Sequence, residues 1–202
     1  MNHFQQTTIE YYNNAARKFT RDTQKVEFSA IQNKFLSHLR KGSLILDLGC
    51  GSGRDSKVFI EKGYKVVALD ASSELCRIAS EFTGLNVINS TFDDFETTDR
   101  FDGIWACASL LHVERKSLSS LIQKYISLLN ENGVFYLSFK YGTYDGMRNG
   151  RYFNDLDEDL LNKCIAQVKD AEIGDLSVSS DVRQGRENEK WLNCFLKLRC
   201  VN

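Results

Sequence analysis

The sequence predicts an α/β protein with a doubly wound, largely parallel sheet and helices on both faces. Two observations carry this. Between residues 44 and 139, short apolar runs rich in β-branched residues alternate with longer stretches of helical period. The first of those runs, Leu44–Ile45–Leu46–Asp47–Leu48, ends in a glycine-rich turn that opens a helix, as a buried parallel strand of a βαβ unit does.

The elements follow in order. Residues 5–40 read as two helices, the first with apolar positions Ile9, Tyr12, Ala16 and Phe19, the second from Val26 to Leu39. After the first strand, residues 54–62 suit a helix that stops at Gly63. Lys65–Leu69 is the second strand, and Ser72 to Phe82 a helix capped by Ser72 or Ser73. Asn86–Ile88 and Phe101–Ala106 are the third and fourth strands. Residues 114–129 form a helix with Leu118, Leu121, Ile122, Tyr125 and Leu129 on one face. A turn at Asn130–Gly133 leads into the fifth strand, Val134–Phe139. Leu156 to Val168 reads as helix. Ile173–Val182 and Trp191–Val201 read as two strands around a charged loop, Arg183–Lys190, and would add an antiparallel element to one sheet edge.

Composition narrows the function classes. With 202 residues, the chain is the size of one domain: an N-terminal helical lid (1–40), a core (41–140), and a loop with a strand pair (141–202). Hydrophobic residues at 42% and charged residues at 26% exclude a disordered or fibrous chain. The 26 basic and 27 acidic side chains nearly cancel, so no global field draws in a polyanion or an anionic membrane. The six cysteines contain no C-x-x-C and no close Cys/His pair, which argues against structural zinc and against a disulfide scaffold. A polar N-terminus and the lack of an 18-residue apolar run complete the expectation of a cytoplasmic, reduced protein, monomeric or homodimeric.

The chemistry concentrates in Asp47–Leu48–Gly49–Cys50–Gly51–Ser52–Gly53–Arg54–Asp55–Ser56. Alternate glycines let the backbone turn sharply and approach a ligand with no Cβ in the way, at the carboxyl end of a strand where open α/β sheets bind ligands. The spacing is neither the G-x-G-x-x-G of a dinucleotide site nor a P-loop, because Asp55 follows Arg54 and no lysine precedes a hydroxyl residue. Two acids around the turn, Asp47 and Asp55, disfavour a pyrophosphate and favour a cationic ligand. Asp70 ends the second strand, where a carboxylate can accept both hydroxyls of a ribose.

This D-L-G-C-G-S-G run, with its strand-terminal Asp70, resembles the first two motifs of the class I S-adenosylmethionine-dependent methyltransferases. Phe101–Asp102–Gly103–Ile104 is similar to that family's fourth strand, and Leu129–Val134 to its turn before strand five. The resemblance implies a seven-stranded sheet of order 3-2-1-4-5-7-6 with strand seven antiparallel. It also implies S-adenosyl-L-methionine as cofactor. Gly49 and Gly51 would let its amino acid part and ribose lie on the turn, with Cys50 and Arg54 also among the cofactor-binding residues and Asp47 toward the ammonium. Asp70 would take the ribose, Ala71 and Phe92 the adenine ring, and Asp93 (rather than Asp94) the adenine amino group. Ala106 and Ala108 would flank the methionine part. Arg54–Asp55–Ser56 also resembles the turn of tellurite-resistance methyltransferases.

The acceptor is expected to be a small molecule, with an anion or a chalcogen oxyanion such as tellurite among the candidates. His112, after strand four, is the candidate base. Arg148 and Arg151 in the glycine-punctuated segment 139–153, together with Arg183 and Arg186 from the later loop, are candidate anion contacts. No metal is expected. A nucleic-acid acceptor such as tRNA is disfavoured by the charge balance, and the absence of proline rules out an N-P-P-[YF] box. A cofactor-binding sensor without catalysis is a third reading.

Overall fold

The structure, a computed structural model, describes residues 2–199. Two helices come first, α1 (His3–Thr23) and α2 (Ser29–Leu36), then β1 (Leu44–Leu48), α3 (Arg54–Glu61), β2 (Lys65–Asp70) and α4 (Ser73–Thr83). They are followed by β3 (Ile88–Asn89), β4 (Phe101–Ala106), a short 3₁₀ turn (Leu110–His112), α5 (Arg115–Ile126) and β5 (Leu129–Lys140). The chain ends with β6 (Asp145–Arg148), β7 (Arg151–Asn154), α6 (Glu158–Ile165), β8 (Ala171–Ser180) and β9 (Lys190–Leu198). The main sheet has seven strands in the order β3-β2-β1-β4-β5-β9-β8, and β9 runs antiparallel to both its neighbours. That is the expected order, with β8 and β9 as the sixth and seventh strands.

Both faces of the sheet are covered, so its central strands are apolar at successive positions. Leu46, Leu48, Ile104, Phe135 and Leu137 face one core with α5 and α6, while Ile45, Trp105, Val134 and Tyr136 face the other, with Phe35 of α2 and Phe59 of α3. Trp105 centres the second core. It stacks on Tyr136 at 4.2 Å between ring centres and meets the edges of Phe35 and Phe59. Gly103 is required here, because a Cβ would stand 2.6 Å from the Phe35 ring.

Several local expectations are corrected. The third strand is only Ile88–Asn89. The residues read as a turn, Asn130–Gly133, lie within β5 as an irregularity between the Phe101–Leu129 and Gly103–Val134 pairs, with Asn132 at φ 63°. The segment read as a glycine-punctuated loop after strand five folds into the β6–β7 hairpin. Its two-residue turn, Asn149–Gly150, has positive φ at both positions (53° and 76°), as the right-handed strand twist requires. The last strand reaches Leu198; Cys200 and Val201, read as strand, lie outside the described residues.

Candidate active site

The carboxyl ends of β1, β2 and β4 open into one cavity of about 270 Å³, roofed by α1. The glycine turn forms its floor. Gly49, Gly51 and Gly53 all have positive φ, at 81°, 57° and 80°. At Gly49 a Cβ would lie 2.5 Å from the Ser109 Cβ, and at Gly51 one would lie 3.1 Å from the Phe19 ring of α1. The Gly49 and Cys50 N–H groups both donate to the Leu69 carbonyl, which ties the turn to the end of β2.

Asp70 closes the other side of that turn. One carboxylate oxygen accepts from the Gly51 N–H and the other from the Ser72 N–H, each at 2.9 Å. Burial raises its pKa, and these backbone donors oppose the rise. Each oxygen keeps a second lone pair, so the group is oriented yet still able to accept from a diol. Ala71 and Phe92 line the cavity beside it. Ala108, at the end of β4, adopts φ 51° and donates its N–H to Ser138 Oγ at 2.9 Å, a strained position on the cavity wall.

Of the sequence-predicted residues, the structure brings Gly49, Cys50, Gly51, Arg54, Asp70, Ala71, Phe92, His112, Arg151 and Arg186 to this cavity. Four others lie elsewhere, each for a physical reason. Asp47 is buried beneath the turn, where it accepts from Ser56 Oγ at 2.5 Å. Burial, and next the charge of Asp55, push its pKa upward. Ala106 is fully buried in the core, and Cys107 and Ala108 line the wall instead. Asp93 sits on the outer surface and accepts from Gln5 of α1 at 2.7 Å. Arg148 is locked bidentately on Asp155, at 3.0 and 2.9 Å, and stacks on Phe153 and Tyr144.

The expected convergence of free arginines is also corrected. Arg54 grips Asp55 through Nε and Nη2, at 2.8 and 2.9 Å. Arg183 is held by Asp181, whose pKa is pulled down to about 2 by Arg183 and Trp191 against the effect of burial. Arg186 and Lys140 both face Glu189. Among the described residues lining the cavity, Arg151 is the cation without a carboxylate partner, and its buried Nε has no hydrogen-bond partner. Its guanidinium stacks on Tyr11 at 4.4 Å and on Phe153 at 5.0 Å, and Nη1 reaches Tyr12 Oη at 3.2 Å.

His112 is enclosed, and both its ring nitrogens are occupied. Nδ1 lies 2.6 Å from the Tyr152 carbonyl, and Nε2 lies 2.8 Å from Tyr12 Oη. A carbonyl can only accept, so Nδ1 carries the proton and Nε2 accepts from Tyr12. Burial, and then Arg151 and Arg148, push its pKa down to about 4. His112, the histidine singled out in the sequence, thus lines the cavity with Tyr12 as its immediate partner.

Two features escaped the sequence reading. One is the Asp55 network. This carboxylate, read only as an anion in the turn, also accepts from Trp105 Nε1 at 2.8 Å and from Gln32 Nε2 at 2.7 Å. Burial alone would raise its pKa, but Arg54 and these donors hold it below the ordinary value. The other is the hairpin that carries Arg151 into the cavity; the Asn149–Gly150 dipeptide was its signal. Among the described residues no group of three His, Cys, Asp or Glu is placed to hold a metal, and no helix is long and apolar enough to cross a membrane.

A seven-stranded sheet of this order, with its glycine turn and strand-terminal aspartate lining one cavity, defines a class I methyltransferase fold. Residues 45–133, somewhat under half of the chain, match the family model described as a methyltransferase domain. An uncharacterized methyltransferase of Staphylococcus carnosus (strain TM300) is 27% identical over 163 residues, covering 76% of this chain and 78% of that protein. The structure is similar to Burkholderia thailandensis 1,6-didemethyltoxoflavin-N1-methyltransferase, solved with its substrate and S-adenosylhomocysteine: TM-score 0.78, 19% identity, 98% of this chain and 89% of that one. It is also similar to TehB from Haemophilus influenzae: TM-score 0.69, 17% identity, 90% and 66% of the two chains. At these identities the two structures speak to the fold.

Proposed function

We propose that the protein transfers a methyl group from S-adenosylmethionine to a small-molecule acceptor. The observation that carries this reading is the oriented Asp70 carboxylate beside a glycine turn whose Gly49, Cys50 and Gly51 line the same cavity. The residues present fit the cofactor: Asp70 for the ribose diol, Ala71 and Phe92 for a flat ring, and the turn Gly49–Gly51 for the amino acid part. Bound S-adenosylmethionine supplies an electrophilic methyl carbon on a sulfonium.

The chain's own residues then orient, enclose and exclude water. α1 closes over the cleft through Thr8 Oγ1, which accepts from the Tyr152 N–H at 3.0 Å. Asn13 Oδ1 accepts from Ser72 Oγ at 2.7 Å, and Gln24 Nε2 donates to the Ser52 carbonyl at 3.2 Å. Beyond His112 and Ser138 the cavity continues to Trp191, Asn193 and the Asp181–Arg183 pair, a polar and aromatic surface sized for a small molecule. A small acceptor is supported by this enclosure and by the near-zero net charge, which offers no track for a nucleic acid. A chalcogen oxyanion rests on less, because the arginines that would receive it are mostly paired. Incubation with methyl-labelled S-adenosylmethionine and a panel of metabolites, tellurite and tRNA tests this reading. Label in a small molecule supports it; label in tRNA alone would overturn it.

A further inference from the structure

Building on that reading, we propose that Tyr12 is the group that accepts the proton of the methyl acceptor, with His112 as a positioning residue behind it, and that the acceptor's nucleophile is therefore a protonated nitrogen or oxygen (a ring N–H, an amine or a hydroxyl). The geometry fixes the direction of each hydrogen bond. The Tyr152 carbonyl holds the His112 proton on Nδ1, so Nε2 faces Tyr12 as an acceptor. Tyr12 must donate its only proton to that nitrogen. Its oxygen has two lone pairs. One receives Arg151 Nη1 at 3.2 Å; the other remains, on a side chain that lines the cavity. Toward a ligand, Tyr12 is thus an acceptor with no proton to give. Such a group matches an N–H or O–H and offers nothing to a bare lone pair.

The charged surroundings are consistent with this task. Burial, the largest effect, raises the Tyr12 pKa; Arg151, from β7, opposes the rise, and the charges of Asp70, from β2, and Tyr11, edge-on within α1, add to it, so Tyr12 gives up its proton only as His112 takes it. Arg148 and Arg151 both face His112, and Phe153 closes its other side. Burial and these neighbours keep His112 neutral at ordinary pH, with its Nε2 lone pair directed at Tyr12.

The step balances. The acceptor's N–H or O–H bond breaks as its electron pair forms the bond to the methyl carbon, and the sulfur–carbon bond breaks with its pair remaining on sulfur. The acceptor's proton passes to Tyr12 Oη while the Tyr12 proton passes to His112 Nε2. The imidazolium, pressed by two arginines, then returns its Nε2 proton to Tyr12 Oη, and Tyr12 releases the proton taken from the acceptor into the cavity and on to solvent.

Three arms test this. In the first, S-adenosylhomocysteine is titrated calorimetrically into wild type, Tyr12→Phe and His112→Gln. Binding within about threefold across all three is expected; no binding by the wild type would defeat the methyltransferase reading rather than this one. The second needs no acceptor: nitrogen-15 NMR of the wild type should show His112 as the Nδ1–H tautomer, neutral down to pH 5. An Nε2–H tautomer, or ordinary titration near 6.5, would overturn the proposal. In the third, methyl-labelled S-adenosylmethionine is offered to phenols, amines and N–H heterocycles in parallel with tellurite. Tyr12→Phe should lower kcat about 10²–10⁴-fold with little change in KM. His112→Gln still accepts from Tyr12 but takes up no proton, so it should lower kcat at least about 10-fold and remove the acid limb of the pH profile. Full activity of Tyr12→Phe, or tellurite turnover indifferent to it, would overturn the proposal.

Discussion

At the residue scale, the cavity depends on positions where one atom decides the outcome. Gly49 combines φ of 81° with a phantom Cβ 2.5 Å from Ser109, whose own Oγ is tied to the Leu48 carbonyl at 2.6 Å. Neither side can retreat. Gly49→Ala is therefore expected to destabilise by about 2 kcal/mol or more, read as a lowered denaturation midpoint at unchanged slope. A wild-type midpoint would show that the turn is more yielding than its contacts imply. His112 makes a second prediction at this scale. Its pKa is about 4 in the fold against 6.5 for the free side chain. The unfolded chain takes up the proton first as pH falls. The contribution is thus fully present above pH 6.5 and is lost on acidification from 6.5 to about 4, by up to roughly 3 kcal/mol. His112→Gln should flatten that limb of the stability–pH curve; an unchanged slope would mean that the imidazole is not the titrating group.

At the scale of elements, the Asp55 carboxylate is the junction. It joins α3 to β4 through Trp105, to α2 through Gln32 and to its own neighbour Arg54. Removing one charge of such a buried cluster leaves the other uncompensated, so Asp55→Asn should cost about 3–5 kcal/mol, measured by urea unfolding. A loss below 1 kcal/mol would mean that Arg54 finds another partner. This junction also marks the boundary of what the sequence could say. The alternation of strands and helices and the glycine turn were legible because βαβ periodicity and glycine spacing are local signals read in chain order, while the strand order followed from the family resemblance. Partnerships across 50 positions, such as Asp55 with Trp105, leave no local pattern. Arg148 and Arg151 look alike in sequence, three residues apart in a glycine-rich segment. Only the hairpin separates them, turning Arg148 onto Asp155 and Arg151 onto Tyr12. Asp47 and Asp93 were placed by resemblance, and their surroundings were decided by packing: one sits under the turn, the other on the rim with Gln5.

At the scale of the whole molecule, a single helix roofs the carboxyl ends of the central strands and turns them into a partly enclosed cavity. α1 spans the cleft from Asp93 to the glycine turn, with Gln5, Thr8, Tyr12, Asn13 and Phe19 each engaging a different part of the core. The same helix that roofs the cavity supplies the tyrosine that faces His112, so one element both covers the site and completes it. The central claim is that this chamber holds S-adenosylmethionine on Asp70. Its most direct test is calorimetric titration of S-adenosylhomocysteine into the wild type and Asp70→Asn. One saturable site per chain is expected, weakened at least about 10-fold in Asp70→Asn by the loss of a charged acceptor. No heat of binding to the wild type, or equal affinity in the two proteins, would contradict it.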